Sequence, residues 1–108
     1  MSFKLQPTPP FERELKRLVR KYPSIKKDIT ALCATLLVNP TLGIPIGNNC
    51  YKIRMSITSK GRGKSGGGRV ITYVKVIEKI IFLIAVYDKS ELGSVSDALI
   101  QERLKNLK

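Results

Sequence analysis

The sequence predicts an α+β fold, in which an N-terminal helical hairpin packs on a small antiparallel β-sheet and a C-terminal helix follows the sheet. Two observations support this prediction. Apolar residues recur at helical spacing near both ends of the chain, which is typical of amphipathic helices. Between these regions apolar and polar residues alternate, which is typical of strands with one buried face. Because the strands follow one another without intervening helices, they indicate a sheet that is segregated from the helices.

The N-terminal region is predicted to hold a short strand and then two helices. Phe3–Gln6 is the candidate for an edge strand, and Thr8 is placed to cap the first helix. Pro23 ends this helix, because the residue before a proline disfavours the helical conformation. The second helix stops before Pro40. The very short connection between the helices predicts an antiparallel hairpin.

The central region is predicted to form an antiparallel meander of three strands. Residues 41–49 contain glycine, proline and an Asn-Asn pair, so they are expected to form a loop. Alternation over residues 51–58 indicates the first strand, and residues 69–76 form the second. Residues 80–87 are apolar at nearly every position, which predicts a central strand covered on both faces. Residues 59–68 are expected to be a mobile connection.

The C-terminal region is predicted to be a helix that starts at a capping box formed by Ser94 and Asp97. The length of 108 residues suits a single domain covering residues 1–108. The longest apolar run, residues 80–87, is far shorter than the roughly 20 residues of a membrane span. No apolar run at the N-terminus is long enough for a signal peptide, so a cytoplasmic protein is expected.

The chain is strongly basic, with 20 Lys and Arg against 8 Asp and Glu and a net charge of +12. Many of the basic residues lie in the middle of the chain, and no Asp or Glu occurs from Ile29 to Ile77. Nothing nearby in the sequence neutralises them, so they predict a polyanionic partner such as RNA. The residues of this basic stretch are Lys52, Arg54, Lys60, Arg62, Lys64 and Arg69.

Several other site classes are disfavoured by the composition. The two cysteines, Cys33 and Cys50, are isolated, and the chain has no histidine, so neither a zinc site nor a disulfide framework is expected. The Gly63-Lys64-Ser65 sequence lacks the upstream glycine of a P-loop and runs into a strand, not a helix. Carboxylates are scarce and scattered, which argues against metal-dependent hydrolysis. No cofactor or metal is therefore predicted.

Four cations are predicted to converge at one end of the sheet. Lys52 and Arg54 are two residues apart on a strand, so both point to the same face, roughly 7 Å apart. Arg69 begins the neighbouring strand, and Lys89 leaves the third strand at the same end of the sheet. Such a cluster either binds phosphates, or is merely solvated, or stabilises the charge that develops when an RNA 2′-OH attacks its adjacent phosphate.

The remaining site predictions concern proton transfer and RNA contact. Lys52 is the candidate base, because neighbouring positive charges favour its neutral form. Tyr73 and Tyr87 are candidates for stacking on a base or donating a proton. The glycine-rich connection is expected to carry three further cations to an RNA or ribosome backbone. These are Lys60, Arg62 and Lys64.

The order and spacing of these motifs resemble the RelE/ParE superfamily of bacterial toxins, and its HigB-like members in particular. The resemblance covers most of the chain. Its most specific pieces are the Gly-Lys-Ser-Gly-Gly run before Arg-Val-Ile and the Tyr-Asp-Lys-Ser-Glu ending. The matching stretches are Phe11–Leu18, Leu36–Pro40, Tyr51–Arg54, Gly63–Ile71, Tyr73 and Tyr87–Glu91.

The resemblance implies a RelE-like microbial RNase fold and the toxin of a type II toxin–antitoxin system. Many RelE-like members cleave mRNA in the ribosome without a metal, and thereby inhibit translation and arrest growth. The family's catalytic positions fall here on Lys52, Arg54, Arg69 and Lys89. The resemblance further implies a cognate antitoxin in a hetero-oligomer, with mRNA and the ribosome as the other partners.

Two alternatives to the nuclease remain open. The family often uses a late catalytic tyrosine or histidine, and residues 90–108 contain neither. A ParE-like inhibitor of DNA gyrase, which has the fold without RNase activity, is therefore one alternative. A non-catalytic nucleic-acid-binding module is the other.

Overall fold

A computed structural model describes residues 2–60 and 67–107 of the chain. Over these residues it contains three helices and five strands, which confirms the α+β fold class. In chain order the elements are β1 (Lys4–Pro7), α1 (Pro9–Lys21), α2 (Ile25–Val38), β2 (Ile44–Gly47), β3 (Cys50–Met55), a 3-10 turn (Thr58–Lys60), β4 (Gly68–Lys75), β5 (Ile80–Asp88) and α3 (Asp97–Lys105). None of the described helices is long and apolar enough to cross a membrane.

The five strands form one sheet in the order β1-β5-β4-β3-β2. β3 to β5 make the predicted antiparallel meander of three strands. β2 adds a fourth antiparallel strand beside β3, and β1 is an edge strand that pairs with β5 in parallel. β5 lies between two neighbours and is buried along almost its whole length, which confirms the prediction of a central strand. The sheet is thus mixed, because the parallel pairing of β1 adds to the antiparallel strands that the sequence predicts.

The prediction of a loop over residues 41–49 is wrong, because this segment contains β2. Pro45 and Gly47 are typical of loops, but an edge strand tolerates both, since its outer side needs no hydrogen-bonding partner. Asn48 and Asn49 have φ angles of 53° and 61° and join β2 to β3. A two-residue hairpin turn of type I′ requires positive φ at both positions, and asparagine adopts it readily. In the sequence, the Asn-Asn pair therefore indicates a hairpin turn between two strands.

β3 ends earlier than the alternation of residues 51–58 predicts. Asp28 of α2 accepts hydrogen bonds from the backbone N–H of Thr58, at 3.0 Å, and from its hydroxyl, at 2.6 Å. Ser24 at the start of α2 accepts a further bond from the N–H of Ser59, at 2.8 Å. These contacts draw the chain away from the sheet and into the 3-10 turn.

The sheet separates two apolar clusters. On the hairpin face, so named because α1 and α2 cover it, the helices pack against alternate residues of β3, β4 and β5. On the opposite face, the α3 face, the other alternate residues pack against α3. The hairpin-face cluster includes Phe11, Leu18, Ile25, Leu36, Ile53, Met55, Val70 and Val86. The α3-face cluster includes Cys50, Ile71, Phe82, Ile84, Ala85, Tyr87 and Ile100.

A β-bulge in β5 decides which residues face which cluster at the end of that strand. Ile71 of β4 lies opposite Ala85, but the next residue, Thr72, lies opposite Leu83, so Ile84 is an extra residue. Ile84 and Ala85 consequently both belong to the α3-face cluster. After the bulge the alternation is reversed, which places Tyr87 on the α3 face.

α3 is held at the edge of the sheet by an ion pair. β1 pairs with β5 only as far as Leu83, so the outer edge of β5 is unpaired beyond that point. There the Arg103 guanidinium donates to the carbonyl of Ile84 at 2.9 Å, and the Glu14 carboxylate accepts from the N–H of Val86 at 3.2 Å. The two side chains pair at 2.8 Å, so α3 and α1 together satisfy the open edge.

The predicted start of α3 at Ser94 is wrong by two residues. Ser96 is the N-cap, with an extended backbone, and its hydroxyl accepts from the N–H of Leu99 at 3.2 Å. Such a side-chain bond satisfies a donor that the first helical turn leaves unpaired. Only one of the two serines can hold this position, and the spacing to Asp97 did not identify which.

Candidate functional site

A row of three polar side chains crosses the α3 face at one end of the sheet. Arg54 of β3 lies opposite Arg69 of β4, and Arg69 lies opposite Tyr87 of β5. Residues directly opposite in antiparallel strands share a face, with Cβ atoms about 5 Å apart. Lys52 precedes Arg54 by two residues on the same face of β3. The register thus brings together three of the four predicted catalytic cations.

The cations of this row differ in exposure. Arg54 is exposed and Lys52 is half-buried, whereas Arg69 is only 4% exposed. One nitrogen of the Arg69 guanidinium donates to the carbonyl of Gly68 at 3.0 Å. Within residues 2–60 and 67–107, neither Lys52 nor Arg54 forms an ion pair with a carboxylate. Positive charge is therefore available on this face.

Tyr87 is buried, so its ring does not offer a surface for stacking on a base, contrary to that part of the prediction. Burial raises the pKa of its phenol, and the nearby charge of Arg69 offsets this only in part, so the phenol stays protonated at neutral pH. Its hydroxyl has no hydrogen-bond partner among the residues that the structure describes. Such a group is costly to bury, by about 1–3 kcal/mol. Tyr87 therefore lies opposite Arg69 in the interior of the protein.

Tyr73 lies away from the row, near the other end of β4. It is four residues from Arg69, which is about 13 Å along an extended strand. Its ring stacks on that of Phe82, with centroids 6.0 Å apart. It lines a polar pocket of about 380 Å³ together with Asn49 and Lys75. A role for Tyr73 in RNA binding remains a prediction, and it would concern a part of the sheet separate from the four cations.

Lys89 follows β5 directly and is exposed. Its backbone N–H donates to the carbonyl of Gly67 at 3.1 Å, and Gly68 lies opposite Asp88 in the register. Lys89 therefore leaves β5 at the end of the sheet where Arg69 enters β4, as the meander predicts. Its side chain makes no hydrogen bond or ion pair with other described residues.

Lys60 occupies an internal position, and the prediction that it contacts phosphates needs correction. Its ammonium lies 2.6 Å from the carboxylate of Asp88 and 2.9 Å from the hydroxyl of Ser90, and its side chain is only 11% exposed. It also lies over the ring of Tyr22, 5.6 Å from the centroid. The neutralising carboxylate is 28 residues away in sequence, so the absence of nearby acids did not reveal it.

The other two predicted phosphate contacts of the glycine-rich connection, Arg62 and Lys64, lie outside the described residues. The same holds for the central part of the predicted mobile connection, residues 61–66. At its far end, Gly67 packs tightly against the backbone of β3, where a Cβ would meet the carbonyl of Met55.

Asp88 was not predicted from the sequence, although it is the most buried charged residue near the site. Burial alone would raise the pKa of its carboxyl, but hydrogen bonds from Lys60, Tyr22 and Ser90 outweigh that effect and hold the pKa well below its usual range. Next to it Glu91 accepts from Lys21 at 2.7 Å and from Arg17 at 3.3 Å. The signal available in the sequence was an acid placed directly after residues 80–87, which are apolar at nearly every position.

The two thiols are free, as predicted, and neither is chemically activated. Burial raises the pKa of Cys33, and it raises the pKa of Cys50 to about 11. Within the part of the chain that the structure describes, no group of three His, Cys, Asp or Glu residues is placed to hold a metal ion. The groups that the strand register brings together at the site are the Lys52 amine, the guanidiniums of Arg54 and Arg69 and the Tyr87 phenol.

Comparison with known proteins identifies the fold. No protein-family model matches the chain. A free mutant of the E. coli toxin RelE superposes with a TM-score of 0.62 at 19% identity, over 100% of both chains. The same mutant in complex with an antitoxin RelBc peptide gives 0.58, also at 19% identity and 100% of both chains. The solution structure of the conserved hypothetical protein HP0892 from Helicobacter pylori gives 0.50 at 16% identity, over 83% of this chain and 98% of that one. The chain therefore has the RelE fold.

Proposed function

We propose that this RelE-fold chain is the toxin of a type II toxin–antitoxin system and a ribosome-dependent mRNA endonuclease. The observation that carries the proposal is the row of Arg54, Arg69 and Tyr87 on one sheet face, with Lys52 beside it. In the RelE-like nucleases of the superfamily that the sequence resembles, the cations of these strands are the catalytic residues. The comparison with the E. coli toxin RelE agrees with that resemblance at the level of the fold.

The proposed reaction needs no metal ion. The RNA 2′-oxygen attacks the adjacent phosphorus, the bond to the 5′-oxygen breaks, and a cyclic phosphate and a free 5′-hydroxyl result. Negative charge grows on the non-bridging oxygens, where the guanidiniums of Arg54 and Arg69 stabilise it. Because Arg69 is buried, its charge is less screened than that of a surface arginine.

Two proton transfers accompany the reaction. Lys52 is the proposed base that takes the proton of the 2′-hydroxyl, since it lies beside the two arginines. Lys89 is the proposed donor to the leaving 5′-oxygen, since it lies at the same end of the sheet and its side chain is exposed. Tyr87 is buried and serves instead to support Arg69.

The proposed protein partner is an acidic antitoxin. The E. coli RelE structure in complex with an antitoxin peptide shows that such a fold can bind one. The net charge of +12 suits an acidic segment that folds on binding, and so do Lys52 and Arg54, which pair with no carboxylate of the described residues. The chain is then expected to form a hetero-oligomer with the antitoxin and to act in the cytoplasm, where ribosomes translate.

Induced expression in growing bacteria tests the nuclease. We expect growth arrest, and primer extension on a translated message should show cuts at codons in the ribosomal A site. Arg69→Ala should lose most of the cleavage, because its charge is needed in the transition state. Growth arrest with intact mRNA would contradict the proposal.

A second candidate function is inhibition of DNA gyrase without RNase activity. It is favoured by the absence of any aromatic residue from Ser90 to Lys108, where nucleases of the family often carry a tyrosine or histidine. In that case growth arrest brings DNA-damage signalling and leaves mRNA intact. A non-catalytic binding module would instead be tolerated on expression and would bind RNA in a salt-sensitive manner.

A further inference from the structure

The carboxylate of Asp88 is fully buried at the end of β5 and lies between two residues of the site, Tyr87 and Lys89. It accepts hydrogen bonds from the Tyr22 hydroxyl at 2.5 Å and from the Lys60 ammonium at 2.6 Å. The N–H and the hydroxyl of Ser90 donate to it as well, at 3.0 and 2.8 Å. Both carboxylate oxygens are thus engaged, and the contacts come from the C-cap residue of α1, from the 3-10 turn and from the turn that follows β5.

These contacts fix the turn that carries Lys89. The Lys60 ammonium bonds to Asp88 on one side of Lys89 and to Ser90 on the other. The carbonyl of Asp88 also accepts from the N–H groups of Glu91 and Leu92, both at 3.0 Å. The Lys89 backbone itself is tied to Gly67. Lys89 therefore projects from a rigid turn, although it follows the end of the strand.

Stability alone does not account for this buried pair. Removing two charges from water is unfavourable, and buried ion pairs are often no more stabilising than apolar residues of similar size. Lys60 makes two directed hydrogen bonds, one to Asp88 and one to Ser90, and these two residues flank Lys89. Apolar residues in place of the ion pair could not make these bonds. Proton transfer is sensitive to the placement of the donor, and a displacement of about 1 Å can slow a reaction by roughly 10²-fold.

We propose that Asp88 and Lys60 are positioning residues, which act by holding Lys89 against the scissile phosphate. This inference rests on the proposed nuclease function. It assigns to Lys60 a structural task at the site in place of the predicted phosphate contact.

The test is single-turnover cleavage of mRNA on programmed ribosomes, measured over a range of toxin concentrations. Asp88→Asn keeps the shape of the side chain and removes its charge. We expect the cleavage rate at saturation to fall by about tenfold or more, with the half-saturating concentration within about twofold of wild type. Ser90→Ala removes the hydroxyl that accepts from Lys60 and donates to Asp88, at an exposed position where folding is not at risk, and should lower the same rate by about threefold.

Two controls separate positioning from general stability. Glu91→Gln changes a charge in the same turn without touching Lys60, and should leave the rate at saturation unchanged. Leu36→Ala destabilises the hairpin-face core on α2 and should also leave it unchanged when the protein is folded. If Asp88→Asn and Ser90→Ala lower the rate no more than these controls do, the inference is wrong.

A double-mutant cycle with Lys89→Ala identifies the residue through which Asp88 acts. If Asp88 positions Lys89, Asp88→Asn should cause little further loss once Lys89 is alanine, because the group it positions is gone. Equal losses in both backgrounds would overturn the inference and leave the nuclease function standing. A wild-type chain that cuts no mRNA on ribosomes would overturn both.

Discussion

Two groups of cations on this chain have opposite surroundings. In the paired group, Arg17, Lys21 and Lys60 face the carboxylates of Asp88 and Glu91 at the hairpin side of the sheet. In the open group, Lys52 and Arg54 lie on the α3 face, and no ion pair joins them to any described carboxylate. The same residue types therefore stabilise the structure at one place and are available to a ligand at another.

The difference follows from where the few acidic residues lie. Glu14 pairs with Arg103 at the sheet edge, and Asp28 holds the 3-10 turn. Asp88 and Glu91 serve the paired group. No ion pair among the described residues involves Lys52 or Arg54, so these two cations of the α3 face keep their positive charge. We expect substitutions in the paired group to change stability first and those in the open group to change activity first.

The largest expected effect is on the paired group. Asp88→Ala should lower the free energy of unfolding by about 3 kcal/mol, because it leaves the buried Lys60 ammonium without its counter-charge. Urea denaturation followed by circular dichroism measures it. Arg54→Ala is the matched control in the open group and should change the same quantity by less than about 0.5 kcal/mol. Similar losses of unfolding free energy in the two variants would contradict the difference between the paired and the open group.

The open group should show the opposite response. Arg54→Ala should lower the rate of ribosome-bound mRNA cleavage by about 10²-fold, since one of the guanidiniums that stabilise the transition state is lost. Arg54→Lys should recover only part of the rate, because an ammonium is a point charge without the planar fork of donors. Unchanged cleavage by Arg54→Ala would show that this exposed cation is solvated and not catalytic.

Acidic pH should weaken the paired group selectively. The pKa of Asp88 is lower in the folded chain than in the unfolded chain, where it is about 3.9. Its contribution to stability is therefore complete above about pH 5 and is lost as the pH falls through about 4 towards the folded value. Urea midpoints measured from pH 7 to pH 3 should fall less steeply for Asp88→Asn than for wild type. Parallel curves would mean that Asp88 is not held as a charged group.

The smallest effect is expected at the rim of the paired group. Glu91 contacts Lys21 and Arg17, and both of these cations are largely exposed. Solvent and salt screen such pairs, so Glu91→Gln should shift the urea midpoint only slightly at low salt. The shift should vanish in 1 M NaCl. A large fall in the urea midpoint that does not depend on salt would contradict this and would show that Glu91 belongs to the buried network around Asp88.

The predictable parts of the site are those that depend on local periodicity. The alternation of β3 places Lys52 and Arg54 on one face, and the meander brings Lys89 to the end of the sheet where Arg69 enters. Both results follow from the period of two and from short connections. The role of Lys60 was not predictable in the same way, because Lys60 lies in the 3-10 turn outside the sheet and its partner Asp88 lies at the end of β5, 28 residues away.

By itself the sequence determined the helices, the meander, the excess of positive charge and the shared face of Lys52 and Arg54, because helical and strand periods are local properties. Only the tertiary structure decided that Lys60 is neutralised by Asp88, since that contact joins segments 28 residues apart. It also decided which way Tyr87 and Asp88 point. Every residue around the bulge at Ile84 is apolar, so no alternation of polarity marks the extra residue that reverses the two faces of β5.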